Sequence, residues 1–272
     1  MNWITKFTLV ACGILAIAGT KALAHIGYSG RDFSTLMYNS DGSRKTVTIA
    51  TQTISSGFGW ADATDTDWGD SHRGRFFRIT LREAGDVQIT AQRYDLLGTF
   101  LPAFSLYSGL GQLSPEGAGH DSAALSIANR PAGTEGSLRA LSDWSIGNDP
   151  TYNIKGDSTS GVLYDPELAY FTYIGNAADG TPTNFGNAAG IVGDGTADGF
   201  VTATFSGLAA GDYSLFVGGA NYALQTTEVL TTQVTSYPTY GVNVTVGIPE
   251  PSTGSLILSG TALLTLLRRR KG

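Results

Sequence analysis

Apolar and polar residues alternate along several stretches of this chain. Phe77, Ile79 and Leu81 alternate with Arg78, Thr80 and Arg82, and Val87, Ile89 and Ala91 alternate with Gln88, Thr90 and Gln92. Val201, Ala203 and Phe205 are interleaved with Thr202 and Thr204, and Val242, Val244 and Val246 with Asn243 and Thr245. A period of two sets one face of a segment on a core and the other in water, so these read as half-buried strands. Thr46–Ala50, Ala103–Tyr107 and Tyr213–Val217 are predicted as further strands. Turn signals separate them: Asp41-Gly42, Asp179-Gly180, Asp194-Gly195 and Asp198-Gly199. No internal stretch sustains a capped helical period, although Ser122–Ala128 has the composition for a turn or two. The predicted fold is all-β, an antiparallel β-sandwich or jelly roll with a long glycine-rich insertion, flanked by an N-terminal signal helix and a short C-terminal transmembrane helix.

The two ends carry the export and sorting information. Residues 1–24 have a short polar start with Lys6, an apolar core from Phe7 to Ala18, and Ala22-Leu23-Ala24, which satisfies the small-x-small rule. This predicts a secretory signal peptide removed by signal peptidase before His25. The other end reads Ile248-Pro249-Glu250-Pro251, then an uncharged stretch to Leu267, then Arg268-Arg269-Arg270-Lys271-Gly272. Helical from Thr253 to Leu267, it would span about 22 Å, short of the roughly 30 Å hydrocarbon core, so it inserts only marginally. The arginines would hold its end on the cytoplasmic side, with the body across the membrane. Two prolines flanking Glu250 stop the helix upstream and leave an extended segment open to a processing enzyme.

This tail resembles the PEP-CTERM sorting signal of Gram-negative bacteria, built from Pro-Glu-Pro, a short apolar helix and an arginine cluster, over Pro249–Gly272. The resemblance implies processing by the transpeptidase-like protease exosortase and an exopolysaccharide or biofilm context. It marks Pro249, Glu250, Pro251, Arg268, Arg269 and Arg270 as sorting residues. The expected localisation is a membrane-anchored precursor, then the cell surface or the extracellular space.

Composition narrows what the body does. Glycine supplies 36 of 272 residues, charge is only 15%, and the single cysteine, Cys12, falls in the removable leader. Disulfides, cysteine metal sites and thiol nucleophiles are thereby excluded from the mature chain. The net charge of −6 understates its acidity, because six of the 17 basic residues lie in the two ends, leaving 11 against 23 acids and a balance of −12 over residues 25–251. Such a body repels phosphate backbones, so no nucleic-acid partner is expected.

From about Arg75 to Gly247 the strand order resembles the bacterial pre-peptidase C-terminal (PPC-like) β-sandwich. The residues carrying this are Phe77-Arg78-Ile79-Thr80-Leu81, Val87–Ala91, Pro102–Tyr107 and Phe205-Ser206-Gly207-Leu208-Ala209-Ala210-Gly211-Asp212-Tyr213-Ser214-Leu215-Phe216-Val217. The chain departs from that pattern at Leu101-Pro102-Ala103, where the family often has an aspartate. The expected organisation is a signal peptide at 1–24, a segment with an acidic loop at 25–74, the sandwich at 75–247 with an insertion at about 120–189, and the sorting signal at 248–272. The insertion, with Tyr170–Thr181 and the run Asn184–Gly199, reads as a long loop with one added hairpin, or as a ligand-binding face on a rigid scaffold. Trp60, Trp68 and Trp144 would stack on sugars if exposed.

Two constellations carry candidate chemistry. Asp62, Asp65, Asp67 and Asp70 crowd together, and clustered carboxylates repel unless solvated or bridged by a hard cation such as calcium. The spacing is not that of an EF-hand. Cleavage after Ala24 makes His25 the N-terminal residue, whose α-amine and imidazole would chelate copper as a histidine brace, with His72 or His120 as the third nitrogen. Patterns for zinc proteases, nucleophile elbows and P-loops are absent. The expected function is therefore an exported surface or extracellular-matrix protein, a non-catalytic binding or structural module with exosortase, signal peptidase and exopolysaccharide as partners. It requires no cofactor, calcium being the one ion considered for the body. The alternative is a copper-dependent oxidase or polysaccharide monooxygenase built on His25.

Overall fold

The period-two segments fold as strands. A computed structural model describes residues 27–61, 68–70, 73–94, 98–110, 137–146, 169–225 and 238–248. The strands are β1 (Val47–Ser55), β2 (Trp68–Asp70), β3 (Arg75–Leu81), β4 (Gly85–Arg93), β5 (Pro102–Ser108), β6 (Ser137–Arg139), β7 (Trp144–Ile146), β8 (Ala169–Ala178), β9 (Phe200–Leu208), β10 (Gly211–Gly219) and β11 (Thr239–Gly247). One helical turn at 222–225 is the sole α-helical stretch among the described residues. None of these residues forms a helix long and apolar enough to cross a membrane, and both apolar ends of the chain lie outside them.

A four-stranded sheet in the order β1-β11-β4-β9 packs on a five-stranded sheet in the order β3-β10-β5-β8-β7, and β2 pairs with β6 as a short ribbon. Every strand pair is antiparallel. The connections β3–β4, β4–β5, β9–β10 and β10–β11 each cross from one sheet to the other. The expected all-β sandwich is thus the observed architecture, and β1, upstream of Arg75, is one of its edge strands.

The positions expected to face inward do so. Phe77, Ile79, Leu81, Val87, Ile89, Ala91, Val242, Val244 and Val246 share one core between the sheets with Tyr213, Leu215 and Val217 of β10. Side chains of this size contribute about 1.5–3 kcal/mol each on burial. At the β9–β10 corner, the Tyr213 hydroxyl donates to the Ala209 carbonyl at 2.6 Å, fixing the turn that passes between sheets.

The five-stranded sheet is buried on its other face too. Phe76, Ala103, Tyr107, Phe171 and Phe216 point away from the inter-sheet core and meet Trp60, Leu138, Ala140 and Phe185 in a second core. Rings of Phe76 and Phe216 lie 4.8 Å apart, and those of Tyr107 and Phe171 5.9 Å apart. Polar tips in this layer are satisfied: the Tyr107 hydroxyl donates to the Arg139 carbonyl at 2.6 Å. The free edge of β3 is covered by residues 31–33, where Arg78 N–H donates to the Arg31 carbonyl and Phe33 N–H to the Arg78 carbonyl, both at 2.9 Å. Covering that edge removes a row of unpaired backbone groups that would template association.

One segment differs from its sequence reading. Tyr170–Ala178, read as loop and hairpin within the insertion, belongs to the ten-residue strand β8 and pairs with both β5 and β7. With both faces of this sheet covered, Phe171 and Tyr173 face the outer layer while Ile174 and Ala177 face the inner core, so no clean alternation marks the strand. Ser122–Ala128 lies outside the described residues.

Candidate functional site

The two chain ends meet the sandwich at opposite ends. Residues 31–33 run parallel to β3 in the bridge between Asp32 and Arg78, so the N-terminal stretch arrives at the end where β3 begins. There Arg31 donates from Nε to the Phe76 carbonyl at 3.0 Å and from Nη2 to the Gly27 carbonyl at 2.7 Å. Burial lowers the pKa of Arg31 and Arg75, and the Arg75 charge lowers that of Arg31 further, yet both remain cations at neutral pH. At the other end β11 closes with Gly247 opposite Gln88, and Ile248 is buried beside the inter-sheet core. Pro249 follows directly, so the segment carrying Pro249, Glu250 and Pro251 leaves a fixed anchor without an intervening linker.

At the end remote from this tail, the turn after β8 is organised by a carboxylate the sequence reading took only as part of an Asp-Gly turn. Asp179 is completely buried and accepts hydrogen bonds from the backbone N–H groups of Asp198 at 3.0 Å and Gly199 at 2.6 Å. Gly199 has φ of +87°, a left-handed turn conformation that its lack of Cβ permits. Burial pushes the Asp179 carboxyl up to about 6 against the pull of those two hydrogen bonds, and the carboxylates of Asp194 and Asp198 push it further up. Asp194 and Asp198 behave as the turn chemistry predicts: Asp194 Oδ1 accepts from Gly180 and Thr196 N–H, and Asp198 Oδ1 from Phe200 N–H. Asp179 holds two loops together across some twenty residues, a partnership with no local sequence signal.

The remaining candidates separate as follows. Ala22, Ala24, His25, Asp62, Asp65, Asp67, His72, His120, Pro249, Glu250, Pro251, Arg268, Arg269 and Arg270 lie outside the described residues. Asp70 ends β2, and its Oδ2 receives Arg73 Nε at 2.8 Å. Arg73 in turn lies over the Phe58 ring, 4.4 Å from its centroid. Trp60 is buried rather than exposed for sugar stacking, and Trp68 and Trp144 fall in β2 and β7. A small pocket at this same end is lined mainly by apolar residues, among them Phe58, Trp60, Phe185 and Ile191, with Tyr222 and Gln225. Among the described residues no three His, Cys, Asp or Glu side chains gather as a metal site.

The tail and the body have different likenesses. Residues 247–271 match the PEP-CTERM protein-sorting motif, so the chain carries the signal of an exported, membrane-passing precursor processed by exosortase. No curated protein matches the sequence. Among solved structures, the body is similar to CorA of Methylomicrobium album BG8, described as a surface-associated copper-binding protein important in copper acquisition: 16% identity, 78% of this chain and 96% of that one covered, TM-score 0.46. It is also similar to MopE, a secreted protein of Methylococcus capsulatus in which an oxidized tryptophan facilitates copper binding, at 17% identity, 80% and 87% coverage, and TM-score 0.43. Against the expectation that no cofactor is required and that calcium is the ion to consider, both of these neighbours are described as copper-binding proteins.

Proposed function

We propose that this is an exported cell-surface or extracellular-matrix protein of a Gram-negative, exopolysaccharide-producing bacterium, whose PPC-like β-sandwich is a non-catalytic binding or structural module. Residues 1–24 serve as signal peptide, 25–74 lead into the sandwich of 75–247 with its insertion at about 120–189, and 248–272 are the sorting signal. The observation that carries the reading is the PEP-CTERM motif over 247–271, joined without a linker to β11. In this arrangement Pro249, Glu250 and Pro251 present the extended segment to exosortase, and Arg268, Arg269 and Arg270 fix the topology of the short helix before them. Deleting Pro249–Pro251 in a host with an exosortase is expected to leave the precursor at its unprocessed mass in the membrane fraction, with surface protein lost. Unchanged processing and delivery in that deletion would refute the reading.

Copper binding is a second reading, favoured by one feature of the sequence: removal of the leader after Ala24 places His25 at the new N-terminus. The described chain begins two residues later at Gly27, whose carbonyl is held by Arg31. An α-amine and an imidazole on the same residue form a chelate that any added N-terminal residue destroys. Mature protein beginning at His25 is expected to bind Cu(II) at least tenfold more tightly than a variant extended by one alanine, by titration against a competing chelator. Equal affinities in the two forms remove His25 from any copper site.

A further inference from the structure

We infer that the solvent face of the four-stranded sheet, at the end remote from the sorting tail, binds a neutral, hydroxyl-rich polysaccharide. This rests on the reading of the body as a surface binding module and adds the ligand class and the residues. Four large apolar side chains stand out in water among the described residues: Leu36 (41% exposed), Tyr94 (44%), Val192 (60%) and Phe200 (40%). The two aromatic ones lie at the same end of this face, on either side of β4. Gln92 of β4 pairs with Phe200 of β9, and Tyr94 lies two residues further along the same face, a diagonal separation of about 7–8 Å.

The position of the Tyr94 ring is built by its neighbour. Tyr94 N–H donates to the Gly241 carbonyl at 3.1 Å, and a Cβ placed on Gly241 would fall 2.2 Å from Cε1 of the tyrosine. The ring therefore lies flat over the β11 backbone and presents its other side to solvent. Beside the two rings are the amides of Gln92 and of Asn243, its partner across the β4–β11 pair; Asn243 Oδ1 accepts from Thr51 N–H at 2.9 Å, so this side chain offers chiefly its Nδ2 donors and Gln92 both kinds of group. Sugar rings have apolar C–H faces that pack on aromatic rings and hydroxyl edges that need both donors and acceptors, which amides supply together.

Beyond the amides the face continues as hydroxyls. Thr48, Thr245, Thr90 and Thr202 stand in register across all four strands, the first two 2.7 Å apart at their Oγ1 atoms and the last two 3.0 Å apart. The outward β4 positions from Gln88 to Tyr94 carry no charge. Arg93 between them turns its guanidinium to the carbonyls of Gly98, Phe100 and Asp198. Asp86, at the opposite end of β4, accepts from Gly207 N–H. An uncharged, hydrogen-bonding face on a body with a balance of −12 complements a neutral chain, whereas an anionic polysaccharide meets an unfavourable field. The rings sit at the end of β4 where Phe200 begins β9, opposite the end from which Pro249 departs, so this face remains open while the tail is in the membrane.

The test is affinity electrophoresis of the full chain in mild detergent, through native gels containing hydroxyethylcellulose, galactomannan or dextran, with alginate as the anionic comparator. Retardation by at least one neutral polymer and not by alginate is expected, weakened about tenfold by Phe200→Ala and by Tyr94→Ala and unchanged by Val192→Ala. Because the Tyr94 ring covers Gly241, melting temperatures are measured for each variant, and Phe200→Ala with Gln92→Ala tests the face without disturbing that cover. Retardation by alginate alone, none by any neutral polymer, or equal retardation of wild type and Phe200→Ala overturns the inference. Deleting Pro249–Pro251 reads the sorting function independently: blocked processing with no polymer binding overturns this face alone, and polymer binding with normal processing in the deletion overturns the sorting role alone.

Discussion

Alanine at Trp60 is expected to lower the free energy of unfolding by about 3–5 kcal/mol, a large share of the roughly 5–15 kcal/mol that keeps a domain folded. The indole is wholly buried in the outer core of the five-stranded sheet. Its Nε1–H donates to Ser105 Oγ at 2.9 Å, and that hydroxyl donates onward to the Ala140 carbonyl at 2.6 Å. One side chain thus links the 57–61 segment, β5 and the stretch following β6. Truncation leaves a cavity against Gly218, where an added Cβ would already lie 3.0 Å from Trp60 Cβ, so the backbone there is too close-packed to collapse inward without rearrangement. Trp60→Phe keeps much of the volume and removes only the hydrogen bond, with an expected loss of about 1–2 kcal/mol plus a smaller packing term. Urea unfolding followed by circular dichroism measures both. A loss under about 1 kcal/mol for Trp60→Ala would show the outer layer to be dispensable to the sandwich.

What could be read in advance divides along the range of the interactions involved. The inward positions of β4, β9 and β11 were legible because each of these strands has one wet face, and period two is then imposed by solvent on its residues; in β3 the alternation runs only from Phe77 to Leu81, Phe76 being buried in the outer core. The sorting tail was legible because its elements act in linear order on machinery that meets an extended chain. β8 was not: a sheet covered on both faces replaces alternation with a nearly continuous run in which Phe171, Tyr173, Ile174 and Ala177 are all apolar. Trp60 has the same origin, since its depth depends on the layer that covers it. The Tyr94 and Phe200 pair needed the register of β4 against both β9 and β11, which no local pattern encodes. Threonines at outward positions were read as the polar half of each strand; only the pairing aligns four of them in one row.

The same distinction explains Asp179, whose partners lie across a glycine-rich loop and whose titration yields the second large effect. In the unfolded chain this carboxyl has the ordinary value of 3.8, and in the folded protein burial raises it to about 6. Above pH 6 both states are ionised, and folding must bury a carboxylate that only two backbone N–H groups compensate. Between 6 and 3.8 the folded protein takes up a proton that the unfolded chain does not, so the contribution of this group to stability grows as pH falls through that window and is lost as pH rises through about 6. The neighbouring Asp194 and Asp198 carboxylates reinforce this direction, since protonating Asp179 relieves their repulsion. Asp179→Asn removes the titration but offers one acceptor where two N–H donors converge, so the variant should be less stable throughout and indifferent to this window. The wild-type melting temperature, taken relative to that of Asp179→Asn at each pH, is expected to rise by several degrees between pH 7 and pH 4.5. Using the variant as reference cancels the other carboxylates, including exposed Asp41, whose hydrogen bonds to Ser43 lower its pKa and give the opposite dependence at lower pH. Parallel curves for the two proteins would mean that Asp179 is solvated through motion of the 194–199 turn, and that the buried carboxylate does not govern how this end of the sandwich is held.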